Sequence, residues 1–264
     1  MKIIKLPEQM QREALALKEK GKKIGFVPTM GALHEGHISL VKVARQQADV
    51  VVMSIYVNPT QFGPSEDFSR YPRPWEQDVK MVEEAGVDIL FAPENLYLPD
   101  ASTFVQEEKY SLGRCGGARP SHFRGVTTIV AKLFNLVQPT VAVFGQKDSQ
   151  QCDVIEQMIR DLYFPVKIVR APLIRDARGL ALSSRNKYLS PAEYEVALNL
   201  STVLHETIKT QGMTQKELES AARSRLKKVP GMKVDYVTWA NGYLCSAVFV
   251  GKTRLIDNVP YIIN

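Results

Sequence analysis

Over the first two-thirds of the chain, short apolar runs alternate with longer amphipathic stretches. Residues 24–29, 49–57, 87–92, 140–144 and 166–169 are rich in Val, Ile, Leu, Ala and Phe. Runs of this length with little polar alternation predict strands buried on both faces. Between them the period lengthens. Residues 36–48 put Val41, Ala44 and Ala48 on one helical face, and residues 75–85 and 126–137 also read as helices. Asp148 opens a further helix whose Val154, Ile155, Met158, Ile159 and Leu162 share a face. Strand–helix alternation of this kind predicts an α/β fold, a Rossmann-like parallel sheet covered by helices.

Two stretches interrupt the rhythm. Residues 58–74 are crowded with Pro, Gly and polar side chains and predict a long loop, a feature that tends to be functional or disordered. Residues 93–123 are also irregular. After Arg175 the pattern changes. Ser190-Pro191-Ala192-Glu193 combines an N-cap, Pro at the first helical position and Glu two further on, and Thr214 with Glu217 repeats the cap. The second helix must stop before Pro230-Gly231. Three β-like runs follow, at 233–239, 244–250 and 253–256, and predict a small antiparallel sheet. The expected division is therefore a Rossmann-like domain over 1–175 and a smaller α+β C-terminal domain over 176–264.

Composition narrows the function only a little. With 264 residues, 45% hydrophobic and 23% charged, the chain can bury a sizeable core. No run approaches the ~20 apolar residues of a membrane span, and residues 1–10 lack the apolar stretch of a signal peptide. Cys115, Cys152 and Cys245 are odd in number and far apart, which suits reduced thiols in the cytoplasm rather than a disulfide framework or a zinc site. The net charge of +6 raises the possibility of an RNA-binding module. However, the densest basic run, residues 18–23, contains Glu19 and Gly21 and reads as a solvated helix end, and no aromatic–basic RNA motif is present. An anionic small substrate accounts for the charge equally well.

The densest chemistry is in Pro28-Thr29-Met30-Gly31-Ala32-Leu33-His34-Glu35-Gly36-His37, which joins the first strand to the first helix. Open α/β sheets bind ligands at such junctions. Two imidazoles and the free N–H groups of a helix N-terminus can hold triphosphate oxygens and stabilise charge developing on the α-phosphorus. A capped turn with one histidine satisfying backbone groups is the plainer alternative.

His34-x-Gly-His37 is similar to the signature of the nucleotidyltransferase superfamily that includes the class I aminoacyl-tRNA synthetases. The longer string resembles the pantothenate synthetase family. So do residues 56–63, 67–72, 119–126 and 144–148, and Leu182-Ser183-Ser184-Arg185-Asn186, so the resemblance spans nearly all of the first 190 residues. It implies ATP-dependent condensation of pantoate with β-alanine to pantothenate, AMP and pyrophosphate through a pantoyl-adenylate, by a homodimer using Mg²⁺ with its ATP. It further implies a catalytic first domain and a second domain covering the active site.

Carried over residue by residue, the resemblance assigns ATP contacts to Met30, Gly31, Ala32, Leu33, His34, Glu35, Gly36, His37, Gly145, Gln146, Lys147, Asp148, Ile174, Leu182, Ser183, Ser184 and Arg185. Gln61 and Gln151 would bind pantoate, with Gln61 also facing β-alanine; Asn58, just past the second strand, reads as a further pantoate ligand, with an Asx turn around Pro59 as the alternative. His37, His34, Lys147 and Arg185 would be catalytic, His37 as a proton donor or electrostatically. The residue types fit these roles. Uncharged amides suit a hydroxylated carboxylate, and Lys147 and Arg185 suit phosphate. Asp148 can accept from ribose, or cap the next helix with Gln151 at its third position. His122 and Arg124, read as lying in a loop before a helix, could support the pocket, as could Arg119. Tyr71 and the 58–74 loop could cover the site. The family's usual glutamate before the lysine is Gln146 here. Another adenylyltransferase, which leaves AMP on its product, remains an alternative of the same class.

Overall fold

In the computed structural model, which describes residues 1–64 and 66–263, the chain divides into two compact units, Met1–Pro172 and Leu173–Asn264. Ser65, within the predicted 58–74 loop, lies outside the described residues.

The first unit runs β1 (Lys2–Ile4), α1 (Pro7–Glu19), β2 (Ile24–Thr29), α2 (Glu35–Arg45), β3 (Val50–Ile55), α3 (Trp75–Glu84), β4 (Ile89–Phe91), α4 (Arg114–Ala118), α5 (His122–Val137), β5 (Val141–Gly145), α6 (Ser149–Asp161) and β6 (Lys167–Ala171). Its sheet is parallel with order β1-β4-β3-β2-β5-β6. Phe26, Val27, Val51, Val52 and Met53 of the two central strands are wholly buried, as their unbroken apolar runs demand. β1 comes first in the chain and forms one edge; after β2 the chain builds toward it through β3 and β4, and β5 and β6 are laid down on the other side of β2. The sheet therefore reverses direction between β2 and β5, and a crevice at their carboxyl ends is where such folds hold ligands. The segments leaving β2 and β5 are Met30–His34 and Gln146–Asp148.

The second unit holds α7 (Pro191–Thr207) and α8 (Gln215–Lys227), then β7 (Met232–Ala240), β8 (Tyr243–Val250) and β9 (Thr253–Pro260) as an antiparallel sheet in that order. Both capping boxes form: Ser190 Oγ accepts from Glu193 N at 3.3 Å while Glu193 Oε2 accepts from Ser190 N at 2.8 Å, and Thr214 with Glu217 does the same. Leu200, Leu204, Leu218 and Leu226 of the helices pack with Leu244, Val248 and Val259 of the sheet in one core.

Two local readings are corrected. The strand at 24–29 is the second and not the first, because β1 before it is only three residues long and leaves no periodic signal, although Ile4 is fully buried. More consequentially, α5 begins at His122, so His122 and Arg124 stand in its first turn and not in a loop. The helix starts early because Gly125 lets its backbone press onto the 59–61 turn. A Cβ there would lie 2.4 Å from the Thr60 carbonyl oxygen.

Candidate functional site

The turn after β2 is held by groups far apart in sequence. Gly31 and Ala32 both adopt positive φ, +78° and +50°, a conformation that favours glycine. Gly31 has a second reason to lack a side chain, since a Cβ would lie 2.9 Å from Asp78 Oδ2. Asp78, in α3 and 2% exposed, accepts from the N–H groups of Ala32 and Leu33, each at 2.8 Å. A charged acceptor shared by two buried amides is a strong tether. Sequence reading misses it: Asp78 sits in Trp-Glu-Gln-Asp-Val-Lys, which looks like an ordinary solvated helix start.

The two histidines then cap α2 reciprocally. Gly36 N–H donates to His34 Nδ1 at 3.1 Å, and His34 N–H donates to His37 Nδ1 at 3.3 Å. The rings lie 4.1 Å apart, tilted 38°. Each Nδ1 accepts, so each neutral ring carries its proton on Nε2. Burial, then His34 and then Lys147, hold His37 well below the usual imidazole pKa of 6.5. His37 is thus a neutral donor at physiological pH. Both residues are partly exposed. The capping and ligand readings are compatible for His37, because capping uses its Nδ1 and not its Nε2–H.

A second cluster surrounds Gln61. Asn58, 1% exposed, donates from Nδ2 to Gln61 Oε1 and to the Gly125 carbonyl, both at 3.1 Å. Its Oδ1 accepts from Thr60 Oγ1 and Tyr97 OH, both at 3.0 Å. All four positions of the amide are filled, so in this state Asn58 orients Gln61 and offers a ligand nothing of its own. Gln61 Nε2 in turn reaches Met30 Sδ at 3.0 Å, linking this cluster to the β2–α2 turn.

His122 Nδ1–H donates to the Gln61 carbonyl at 2.8 Å, and Arg119 Nη1 donates to His122 Nε2 at 3.3 Å. Arg119 also forks onto Glu66 at 2.8 and 2.5 Å. His122 and Arg119 therefore buttress the backbone of the 58–66 loop. Burial, reinforced by Arg119, lowers the His122 pKa from 6.5 to about 4. The native state keeps this ring neutral, whereas the unfolded chain takes up a proton below 6.5. Stability is therefore expected to fall between pH 6.5 and 4, by at most about 3 kcal/mol from this group. Urea unfolding of the wild type against His122→Asn checks this; the variant keeps a donor toward Gln61 but should lose less stability over that window.

At the end of β5, Lys147 pairs with Asp148 at 3.4 Å. Asp148 stands at the N-cap of α6 but makes no side-chain cap hydrogen bond, so the Asp148–Gln151 capping alternative does not form. Gln151 is partly exposed in the first turn of α6. Its neighbour Gln150 is buried and binds the carbonyls of Tyr110, Leu112 and Gly113 and the N–H of Cys115, fixing the 110–115 segment. A cavity of about 500 Å³, lined by Met30, Gly31, Tyr56, Trp75 and Asp78 among others, opens on the β3–β4 side of the turn and not at the β2–β5 crevice.

In the second unit, Leu182 N–H donates to the Ile174 carbonyl at 2.9 Å, closing a hairpin. Ser183 then caps a short 3₁₀ helix, Ser184–Tyr188, accepting from Arg185 N at 3.3 Å.

Comparison with known proteins decides the family. The profile described as pantoate–β-alanine ligase matches residues 2–260. The chain belongs to the pantoate–β-alanine ligase family. It is 47% identical to a pantothenate synthetase of Moorella thermoacetica, an alignment covering 100% of both chains. A pantothenate synthetase structure from Thermus thermophilus superposes with a TM-score of 0.91 at 42% identity, covering 99% of this chain and 100% of that one. A pantoate–β-alanine ligase from Francisella tularensis, complexed with Beta-gamma ATP and β-alanine, gives a TM-score of 0.85 at 37% identity over 98% of this chain and 97% of its own. Family membership makes this chain a ligase of pantothenate biosynthesis and an ATP-using enzyme. Among the described residues, no helix is long and apolar enough to cross a membrane.

Proposed function

We propose that the chain joins pantoate to β-alanine in two half-reactions. A pantoate carboxylate oxygen attacks the α-phosphorus of ATP. The bond to the β-phosphate's bridging oxygen breaks, and pyrophosphate leaves. The amine of β-alanine then attacks the acyl carbon of pantoyl-adenylate and expels AMP. A carboxylate does not release oxide on its own, and adenylation supplies the leaving group. The protein's part is positioning and charge stabilisation.

The observation that carries this reading is the pair of imidazoles at the N-terminus of α2, in the crevice where the strand order reverses, with Lys147 near enough to depress His37. Nε2–H of each ring, the α2 amides and Lys147 would meet the phosphates. Met30–His37 and Gly145–Asp148 would contact ATP, while Gln61 and Gln151 would hold pantoate and Gln61 would also face β-alanine. Asn58 would contribute by orienting Gln61. From the second unit, Ile174 would contact the adenine through its backbone, and Leu182–Arg185 the phosphates, with Arg185 stabilising the leaving pyrophosphate.

Among the described residues, no cluster of three His, Cys, Asp or Glu is placed to hold a metal. Mg²⁺ would arrive with ATP, held mainly by phosphate and water oxygens, and would neutralise phosphate charge. The assembly is proposed to be a homodimer, as the family implies.

Pantoate labelled with ¹⁸O in its carboxylate tests the route. Attack by that oxygen on phosphorus leaves one label in the AMP released when β-alanine is added. Unlabelled AMP, or an adenylyl group that stays on the product, would reject the pantoyl-adenylate and favour the adenylyltransferase alternative.

A further inference from the structure

The segment read above as the nucleotide arm of the second unit is internally cross-linked. Arg175 and Ala181 face each other across the hairpin, and Asp176 N–H donates to the Leu180 carbonyl at 2.9 Å. Asp176 Oδ1 closes the turn by accepting from Arg178 N at 2.9 Å and Leu180 N at 3.0 Å. Asn186 Nδ2 returns to the Ala181 carbonyl at 3.0 Å. Residues 174–186 therefore form one hydrogen-bonded piece, and their orientation depends on how that piece is fastened.

Three side chains of the hairpin are among its fastenings. Arg178 pairs with Glu195 of α7 at the exposed surface, where such a pair contributes little. Asp176 Oδ2 accepts from Tyr194 OH of α7 at 2.6 Å. The third attachment is of a different kind. Arg175 donates Nη1 to Asp257 Oδ2 at 2.7 Å and Nη2 to Asp257 Oδ1 at 2.9 Å, and it also donates Nη1 to the Gly179 carbonyl at 3.1 Å. Asp257 lies in β9, is 2% exposed, and accepts in addition from Asn258 N at 2.7 Å.

A buried ion pair of this kind is a poor device for stability, because well-packed apolar residues of similar volume often do as well or better. A fork-on-carboxylate pair does something apolar contacts cannot, which is to fix one mutual orientation. Here it ties the base of the arm to β9 of the antiparallel sheet, and through Gly179 it also braces the hairpin tip.

We propose that Arg175 and Asp257 are a positioning pair, which sets the reach of Ile174 and Ser183–Arg185 toward ATP without touching it. This rests on the reading of residues 174 and 182–185 as nucleotide contacts.

The test measures KM for ATP and for pantoate, kcat of the exchange half-reaction, and Tm, for Arg175→Lys, Asp257→Asn and the double variant Arg175→Met/Asp257→Leu. Misplacing reacting groups by about 1 Å can cost on the order of 100-fold, so each variant is expected to raise the KM for ATP or lower kcat by about 10- to 100-fold. The KM for pantoate should stay within about twofold. The double variant, with no buried charge left unpaired, is expected to keep a Tm close to that of the wild type and still show the ATP defect. A purely structural pair would recover ATP use along with Tm. The inference is overturned if the double variant, or a folded Asp257→Asn, uses ATP like the wild type while Arg185→Ala is impaired. An unimpaired Arg185→Ala would instead overturn the reading of the arm beneath it.

Discussion

His37→Ala is expected to slow the pantoate-dependent exchange of pyrophosphate into ATP by about 10²–10³-fold, the usual cost of removing one preorganised donor from a developing oxyanion. His37→Gln is expected to retain activity within about tenfold of wild type, because a glutamine amide can both accept from His34 N–H and donate outward. The contrast follows from the state of the ring. Its Nδ1 is occupied as an acceptor, and burial with His34 and Lys147 holds its pKa well below 6.5. A protonated general acid would lose rate as pH rises through its pKa. A neutral donor keeps its rate from pH 6.5 upward and loses it only at lower pH, where the ring finally protonates. The pH dependence of kcat/KM, which reports the free enzyme, separates the two. A glutamine variant as inactive as the alanine one, together with a rate that falls from pH 6 to 8, would assign His37 to proton transfer.

Asp78 should be nearly as sensitive, although it is read as touching no substrate. In Asp78→Ala the N–H groups of Ala32 and Leu33 lose their shared acceptor inside the protein. Each buried unpaired amide costs about 1–3 kcal/mol, so the expected loss is about 2–6 kcal/mol, a large part of the stability of an ordinary domain. Asp78→Asn keeps one acceptor oxygen but turns an NH₂ toward the other amide, and is expected to lose about 1–3 kcal/mol. It should also lower exchange at least tenfold, because the turn that aims His34 and His37 is no longer held at two points. Urea unfolding and exchange kinetics on both variants check this. Wild-type stability and exchange in Asp78→Asn would show that the turn holds itself.

The contrast between Asp78 and the histidines shows what the sequence can reveal. Strands such as β3, with the apolar run Val50–Met53, are legible because burial on both faces leaves no alternative pattern. The caps at Ser190 and Thr214 are legible because the three-residue spacing is itself the mechanism. The same spacing separates His34 from His37, so their reciprocal cap is open to a local reading, but imidazoles at those positions suggest chemistry before capping. What stays hidden is long-range. Nothing near Asp78 points to the backbone 46 residues earlier. Nothing around Asn58 reveals that Tyr97 and Gly125 consume its amide, and so turn a candidate ligand group into a support for Gln61. The start of α5 is hard to place for a related reason: the turn packed against Gly125 requires a residue without a side chain, and nothing beside Gly125 in the sequence shows that turn.

The central claim is that this site activates pantoate by adenylation before β-alanine takes part. Exchange of labelled pyrophosphate into ATP by the purified protein tests it most directly, with and without pantoate and in the absence of β-alanine. The account predicts exchange that requires pantoate, proceeds without β-alanine, and gives way to AMP release when β-alanine is added. Exchange independent of pantoate, or none until β-alanine is present, would contradict it.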